Sequence, residues 1–328
     1  MRLAYVFPGQ GSQVVGMGRA LADAEPSAAA VFREADAALG EPISAIAWDG
    51  PEELLNRTEN AQPALLATSM AYLAVLRERA AAAPAKREPA LPASDLLAPA
   101  FLAGHSMGQY SAMVAGGVLS LADGIRLVRE RGRRMQASGE GRDGAMAAIL
   151  GLDDAALPEL AARAGTHGDF AIANRNAPGQ VVVSGERAAI DAAAEIAKEL
   201  GAKRALPLPV SVAAHSPLMR EAAGGMGMVL AGVTFHDPSA PLLANADARP
   251  LESGEACRAE LVEHLTTGVD WVRSVETMRA AGVDTFVEIG PGKVLTNLIK
   301  RIAPEATAVA LDDSAAPDRF LMPSLEPA

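Results

Sequence analysis

Short unbroken apolar runs alternate along this chain with stretches in which apolar residues return every three or four positions. The unbroken runs predict strands buried on both faces, and the helical spacing predicts amphipathic helices that cover them. Strands are expected at Leu3–Phe7, from Phe101 into a Gly-His-Ser turn, near the end of Ala240–Asn245, and at Thr285–Ile289 and Thr307–Leu311. Helices are expected at Pro26–Leu39, where Ala28, Val31, Phe32, Ala35 and Leu39 share a face, and from Asn60 onward, along Leu66, Met70, Leu73 and Leu76. Pro63 is placed near the first turn of that helix, where a missing N–H costs nothing. Further helices are expected at Leu121–Gln136, with Ser120 and Asp123 at its start, and at Glu255–Leu265 and Trp271–Ala281. Glu41–Asp49 reads as a loop and Glu52–Leu55 as a short turn. Ala80–Pro99, rich in Ala and Pro, reads as a surface excursion, and Asp312–Ala328 as a tail.

The middle of the chain changes rhythm. Strand patterns at Ala145–Leu150, Phe170–Asn174, Gln180–Ser184 and Lys203–Leu208 are interleaved with helix patterns at Asp153–Arg163 and Glu186–Leu200. The order β-α-β-β-α-β is that of the ferredoxin-like split unit. The expected fold is therefore α/β: a larger hydrolase-like domain with a parallel sheet, from residues 1–136 and 210–328, plus a smaller inserted ferredoxin-like subdomain, residues 137–209.

Composition narrows the partners. With 328 residues and half of them hydrophobic, there is ample material for a large core. A net charge of −11 argues against nucleic acid and anionic membrane surfaces. One cysteine, Cys257, excludes an intrachain disulfide framework and suggests a reducing compartment. No secretory leader and no uncharged run of membrane-spanning length is visible, so a cytoplasmic protein is expected. The histidines lack tight ligand spacing, so no metal site is expected.

The chemistry centres on Gly104-His105-Ser106-Met107-Gly108. This is the G-x-S-x-G pattern of a nucleophile elbow, in which a strained turn between strand and helix exposes the serine hydroxyl. The N–H of Met107, at the first helical turn, is then aimed at a developing oxyanion. Pro8-Gly9-Gln10-Gly11 follows the first strand and can bring backbone amides to a ligand. It is neither a P-loop nor a dinucleotide fingerprint. A serine nucleophile needs a base. Of five histidines, His215 in Ala-Ala-His-Ser-Pro-Leu-Met stands at the join of insertion and main domain. His105 should point away from the serine, and His167, His236 and His264 are unremarkable alone. Among the arginines of Leu121–Gln136, one reaching the cleft would hold a carboxylate bidentately.

Taken in order, Phe7–Gln13 (FPGQGSQ), Asn60–Ser69, Gly104–Ala112 (GHSMGQYSA), Arg131-Gly132, Asn174–Gly185, Ala213–Met219 (AAHSPLM), Asn245–Pro250 and Glu288–Arg301 resemble the malonyl-CoA:acyl-carrier-protein transacylases of bacterial fatty-acid synthesis. The likeness spans Leu3 to about Leu311. It implies an enzyme that moves malonyl from malonyl-CoA to the phosphopantetheine thiol of an acyl carrier protein, with no tightly bound cofactor. It implies Ser106 as nucleophile and His215 as base, the latter held by a backbone carbonyl and not a carboxylate. Arg131 would take the malonyl carboxylate, and the N–H groups of Gln10 and Met107 would form the oxyanion hole. Four departures are visible: Met107 and Gln109 where the family often has Leu and Glu, Ala214 where many members have Phe, and His264 where the family usually has Gln. Ala214 leaves methylmalonyl-CoA and a polyketide or specialised-lipid role open, and His264 adds a titratable group near the site. A hydrolase on the same elbow would want a late histidine that is absent here. A non-catalytic carrier-binding module would not need Ser106 and His215.

Overall fold

The computed structural model describes residues 1–82, 98–209 and 212–321. The chain begins with β1 (Leu3–Phe7) and reaches β2 (Phe101–Gly104) after a helical excursion. It then passes through β3 (Gly144–Leu150), β4 (Phe170–Ala177), β5 (Gln180–Glu186) and β6 (Arg204–Pro207). It returns through β7 (Leu242–Leu243), β8 (Pro250–Leu251), β9 (Val269–Asp270), β10 (Thr285–Ile289) and β11 (Thr307–Leu311). The first sheet has the order β11-β10-β1-β2-β7-β8 and is parallel except for the short β7–β8 pair. Every residue of β1, β2 and β10 is buried, as the apolar runs of β1 and β2 require, and the one carboxylate of β10, Glu288, is held by the N–H groups of Leu295 and Thr296.

The second sheet has the order β6-β3-β5-β4-β9. Its first four strands are antiparallel neighbours, with the 157–164 and 187–199 helices packed on them, which is the ferredoxin-like arrangement. The fifth strand, β9, comes from the larger part of the chain and pairs parallel with β4 through Asn174 and Arg175. The two sheets are thus tied to each other beside the C-terminal ends of β1 and β2. Ligands bind at that end of open α/β sheets.

Some expectations change. Glu41–Asp49 is not a loop throughout. Ile43–Asp49 is helical, because Ile43 and Ala47 are fully buried and Asp36 accepts hydrogen bonds from the N–H and hydroxyl of Ser44. Glu52–Asn56 is also a short helix. The helix expected from Asn60 begins at Thr58 and runs to Ala82, so Pro63 lies beyond its first turn. That helix is sheathed on nearly every side as far as Leu76, so its apolar stripe understated its burial. The helix at Leu121 is capped by the Ser120 hydroxyl and runs on to Gly139. Ala316–Leu321, within the expected tail, is helical and packs through Ala316 and Leu321. The rest of that tail, and residues 83–97 of the Ala80–Pro99 excursion, lie outside the described residues.

Candidate active site

β2 ends at Gly104 and the next helix, Gly108–Ala115, starts four residues later. Between them Ser106 adopts φ 51°, a left-handed conformation that costs a non-glycine residue energy and is held only where the surroundings enforce it. A Cβ on Gly104 would strike the carbonyl of Gly108, and one on Gly108 would strike the carbonyl of Phe7. The two glycines therefore let strand, helix and the loop after β1 converge. That convergence brings the Pro8–Gly11 loop against the elbow. Neither Gln10 nor Met107 gives its backbone N–H to a protein acceptor among the described residues.

The hydroxyl of Ser106 lies 2.8 Å from Nε2 of His215. His215 is 3% exposed and also has positive φ, 58°. Its Nδ1 faces two carbonyl oxygens, Thr267 at 2.8 Å and His264 at 3.1 Å. Two acceptors on one side require the proton on Nδ1, which leaves the Nε2 lone pair for the serine proton. Burial first, and the charge of Arg131 second, push the imidazole pKa down to about 3. His215 is thus a neutral base at physiological pH.

Arg131 projects into the same place from the Leu121–Gly139 helix. It is 1% exposed. Nη2 donates to Ser106 Oγ at 3.2 Å and Nη1 to Gln62 Oε1 at 2.9 Å. The guanidinium lies 5.9 Å from the centre of the Tyr110 ring, and Nε has no hydrogen-bond partner. Burial lowers its pKa. Among the described residues no carboxylate pairs with it. The guanidinium is thus a buried charge whose partners among the described residues are neutral.

His264 is fully enclosed behind His215, with ring centres 5.6 Å apart. Its Nε2 lies 3.2 Å from Asn245 Oδ1, and burial holds its pKa well below the usual imidazole value. Ala214 is half-buried and packs on Met146, Ala173 and Val182 of the second sheet. His105 turns to Asn176, at 2.8 Å, and to the Trp271 ring. His167 and His236 are exposed. The Cys257 thiol is buried and pushed up to about 12, mainly by burial, which leaves no thiolate nucleophile. Gln62, Thr267 and Asn245 were given no role in the sequence. Gln62 and Asn245 fall inside recognised motifs, but Thr267 contributes only a carbonyl, for which side-chain chemistry gives no signal.

A serine on a strained elbow, a neutral histidine oriented by carbonyls and an open anion site define an acyltransferase of the serine–histidine type. The model for the acyl transferase domain matches residues 4–316. The malonyl CoA-acyl carrier protein transacylase of Escherichia coli strain K12 is 44% identical over 315 residues, covering 96% of this chain and 97% of that protein. An acyl carrier protein S-malonyltransferase from Vibrio cholerae superposes with TM-score 0.90 at 41% identity, covering 98% of this chain and all of that one. A malonyl-transacylase in complex with its type II PKS acyl-carrier protein also gives TM-score 0.90, at 41% identity, covering 99% and 100%. The chain belongs to the malonyl-CoA:acyl-carrier-protein transacylase family.

No helix among the described residues is long and apolar enough to cross a membrane. Among the same residues no three His, Cys, Asp or Glu side chains group as metal ligands.

Proposed function

We propose that this enzyme transfers malonyl from malonyl-CoA to the phosphopantetheine thiol of an acyl carrier protein by a ping-pong route through Ser106. Arg131 and Gln62 take the free carboxylate and place the thioester carbon at Ser106 Oγ. As Oγ attacks, its proton passes to His215 Nε2, and the N–H groups of Gln10 and Met107 receive the carbonyl oxygen. The imidazolium is stabilised by the carbonyls of Thr267 and His264, which do the work of a carboxylate without burying one. Collapse breaks the C–S bond, His215 returns the proton to sulfur, and CoA leaves malonyl-Ser106. The carrier thiol then gives its proton to His215 and attacks the ester, and Ser106 leaves with that proton.

The observation that carries this reading is the buried Arg131 guanidinium, within hydrogen-bond reach of the nucleophile and paired with no carboxylate. Residues 1–136 with 210–328 act in this reading as the large domain, and residues 137–209 as a subdomain closing over the site, with β9 as the tie. Intact mass after mixing with malonyl-CoA tests it. A malonyl increment should form on the wild type, vanish in Ser106→Ala and form slowly in His215→Ala. An unchanged increment in Ser106→Ala refutes it. The likeness to a malonyl-transacylase captured with a type II PKS carrier favours a second reading for the pathway, in which the acceptor serves polyketide synthesis.

A further inference from the structure

A left-handed residue between strand and helix leaves backbone groups in neither ladder. At this elbow those groups are the carbonyl of Gly104 and the N–H of Ser106, and one side chain takes both. Asn245 Nδ2 donates to Gly104 O at 2.8 Å and to Gln109 Oε1 at 2.9 Å. Its Oδ1 accepts from Ser106 N at 2.9 Å and faces His264 Nε2 at 3.2 Å. Every hydrogen-bonding position of the amide is therefore used. The residue itself is held rigidly. Its N–H donates to Glu260 Oε1 at 2.8 Å, its carbonyl accepts from Asp270 N at 2.7 Å, and it is 2% exposed. Gln109 completes the ring by donating to Leu243 O at 2.8 Å.

We propose that Asn245 is the positioning residue of the reaction, the single group that holds the strained Ser106 turn and, through His264, the carbonyl cradle of His215. Two features make this more than packing. Asn245 binds the backbone of the nucleophile itself, not a neighbour in the core. It also reaches the base from two directions: its Oδ1 meets the ring of His264, whose carbonyl faces His215 Nδ1, and its carbonyl fixes Asp270, three residues after Thr267. The orientation of nucleophile and base then depends on one amide that never touches substrate. Acyl recognition by Arg131 and Gln62 stands on other helices and meets the network only at Ser106, through Arg131 Nη2.

The inference rests on Ser106 and His215 being the reacting pair, and its test separates the two. Single-turnover acylation by malonyl-CoA and labelling by a carboxylate-free fluorophosphonate, in which Ser106 Oγ displaces fluoride from phosphorus, are measured side by side. In Asn245→Ala both rates should fall at least tenfold, with KM for malonyl-CoA within about twofold and native circular dichroism. If folded Asn245→Ala labels and acylates at the wild-type rate, or if only KM rises, the proposal fails. Should Asn245→Ala not fold, Asn245→Asp decides, since it keeps the shape and the acceptor and removes both donors. A fall of fivefold or more in labelling supports the proposal, and no fall overturns it. A wild type that takes the fluorophosphonate on Ser106 but no malonyl would sink the malonyl assignment and leave the Asn245 comparison intact.

Discussion

Arg131→Ala is the most informative single change, because the structure separates what Arg131 does for any acyl group from what it does for a carboxylate. Its contact with Ser106 Oγ is present whatever the thioester carries. Losing that contact, and losing the positive charge that depresses the His215 pKa, affects malonyl and acetyl transfer alike. The ratio of the two rates therefore isolates the carboxylate pair. In the wild type a neutral acyl group leaves the guanidinium buried with only Gln62, Ser106 and the Tyr110 ring. Removing one partner of a buried, hydrogen-bonded charge pair costs about 2–5 kcal/mol, which is a factor of about 30 to 4,000. The malonyl-to-acetyl ratio of kcat/KM should collapse by that factor in Arg131→Ala, mostly through loss of malonyl transfer. CoA release from each thioester, followed with saturating carrier protein, measures it. An unchanged ratio, or a wild type that prefers acetyl-CoA, would refute the carboxylate-clamp argument.

Three further outcomes follow from the same geometry. His105, His215 and His264 are all buried with lowered pKa, so below about pH 6.5 the unfolded chain binds protons that the native chain refuses, and stability falls with pH from there toward the depressed values. Glu260 and Glu288, whose buried carboxyls are raised, act in the opposite sense, so the test is a difference. Urea unfolding of His264→Gln should show a slope of stability against pH flatter by about 1 kcal/mol per pH unit near pH 5.5, and equal slopes would contradict the neutral state of His264. Ala214→Phe should reduce any methylmalonyl transfer relative to malonyl by about fivefold, the worth of roughly 1 kcal/mol in a fitted pocket, read by competition between the two thioesters. For the carrier protein, three arginines of the Leu121–Gly139 helix are already engaged with acidic neighbours. Arg129 is buried against Glu41 and Asn60, Arg133 faces Glu41 and Glu59, and Arg134 pairs with Glu130. Lys300 is exposed, and Lys293 is exposed with its ammonium 3.5 Å from Asp312; reversing both charges should raise the carrier-protein KM while leaving acylation by malonyl-CoA within about twofold.

What could be read from the chain, and what could not, divides along a physical line. β1, β10 and β11 fall on the residues expected, because a short, mostly apolar run between turn formers has few alternatives to a strand. The ferredoxin-like order was legible for the same reason, and its sheet closes as that order implies. Ile43–Asp49 is not legible in the sequence because about two helical turns are too short to show a period. Its fold comes from Asp36, which lies on another helix. Pro63 stands at the sixth residue, just past the first turn, because the helix begins at Thr58, two residues ahead of the start expected at Asn60. The elbow was visible because it needs glycine on both sides of the serine, and glycine leaves a mark in the sequence. His215 could be singled out from its motif, but nothing in the letters foretold its left-handed backbone or the two carbonyls at Nδ1. Asn245 is the sharper case. Its four side-chain partners are drawn from Gly104, Ser106, Gln109 and His264, none of them near it in sequence, so its importance is a property of the closed fold. Sequence reasoning finds groups that react or that must be small. It does not find the groups that hold those in place, because many polar residues along the chain are candidates for that work and only the closed geometry selects one.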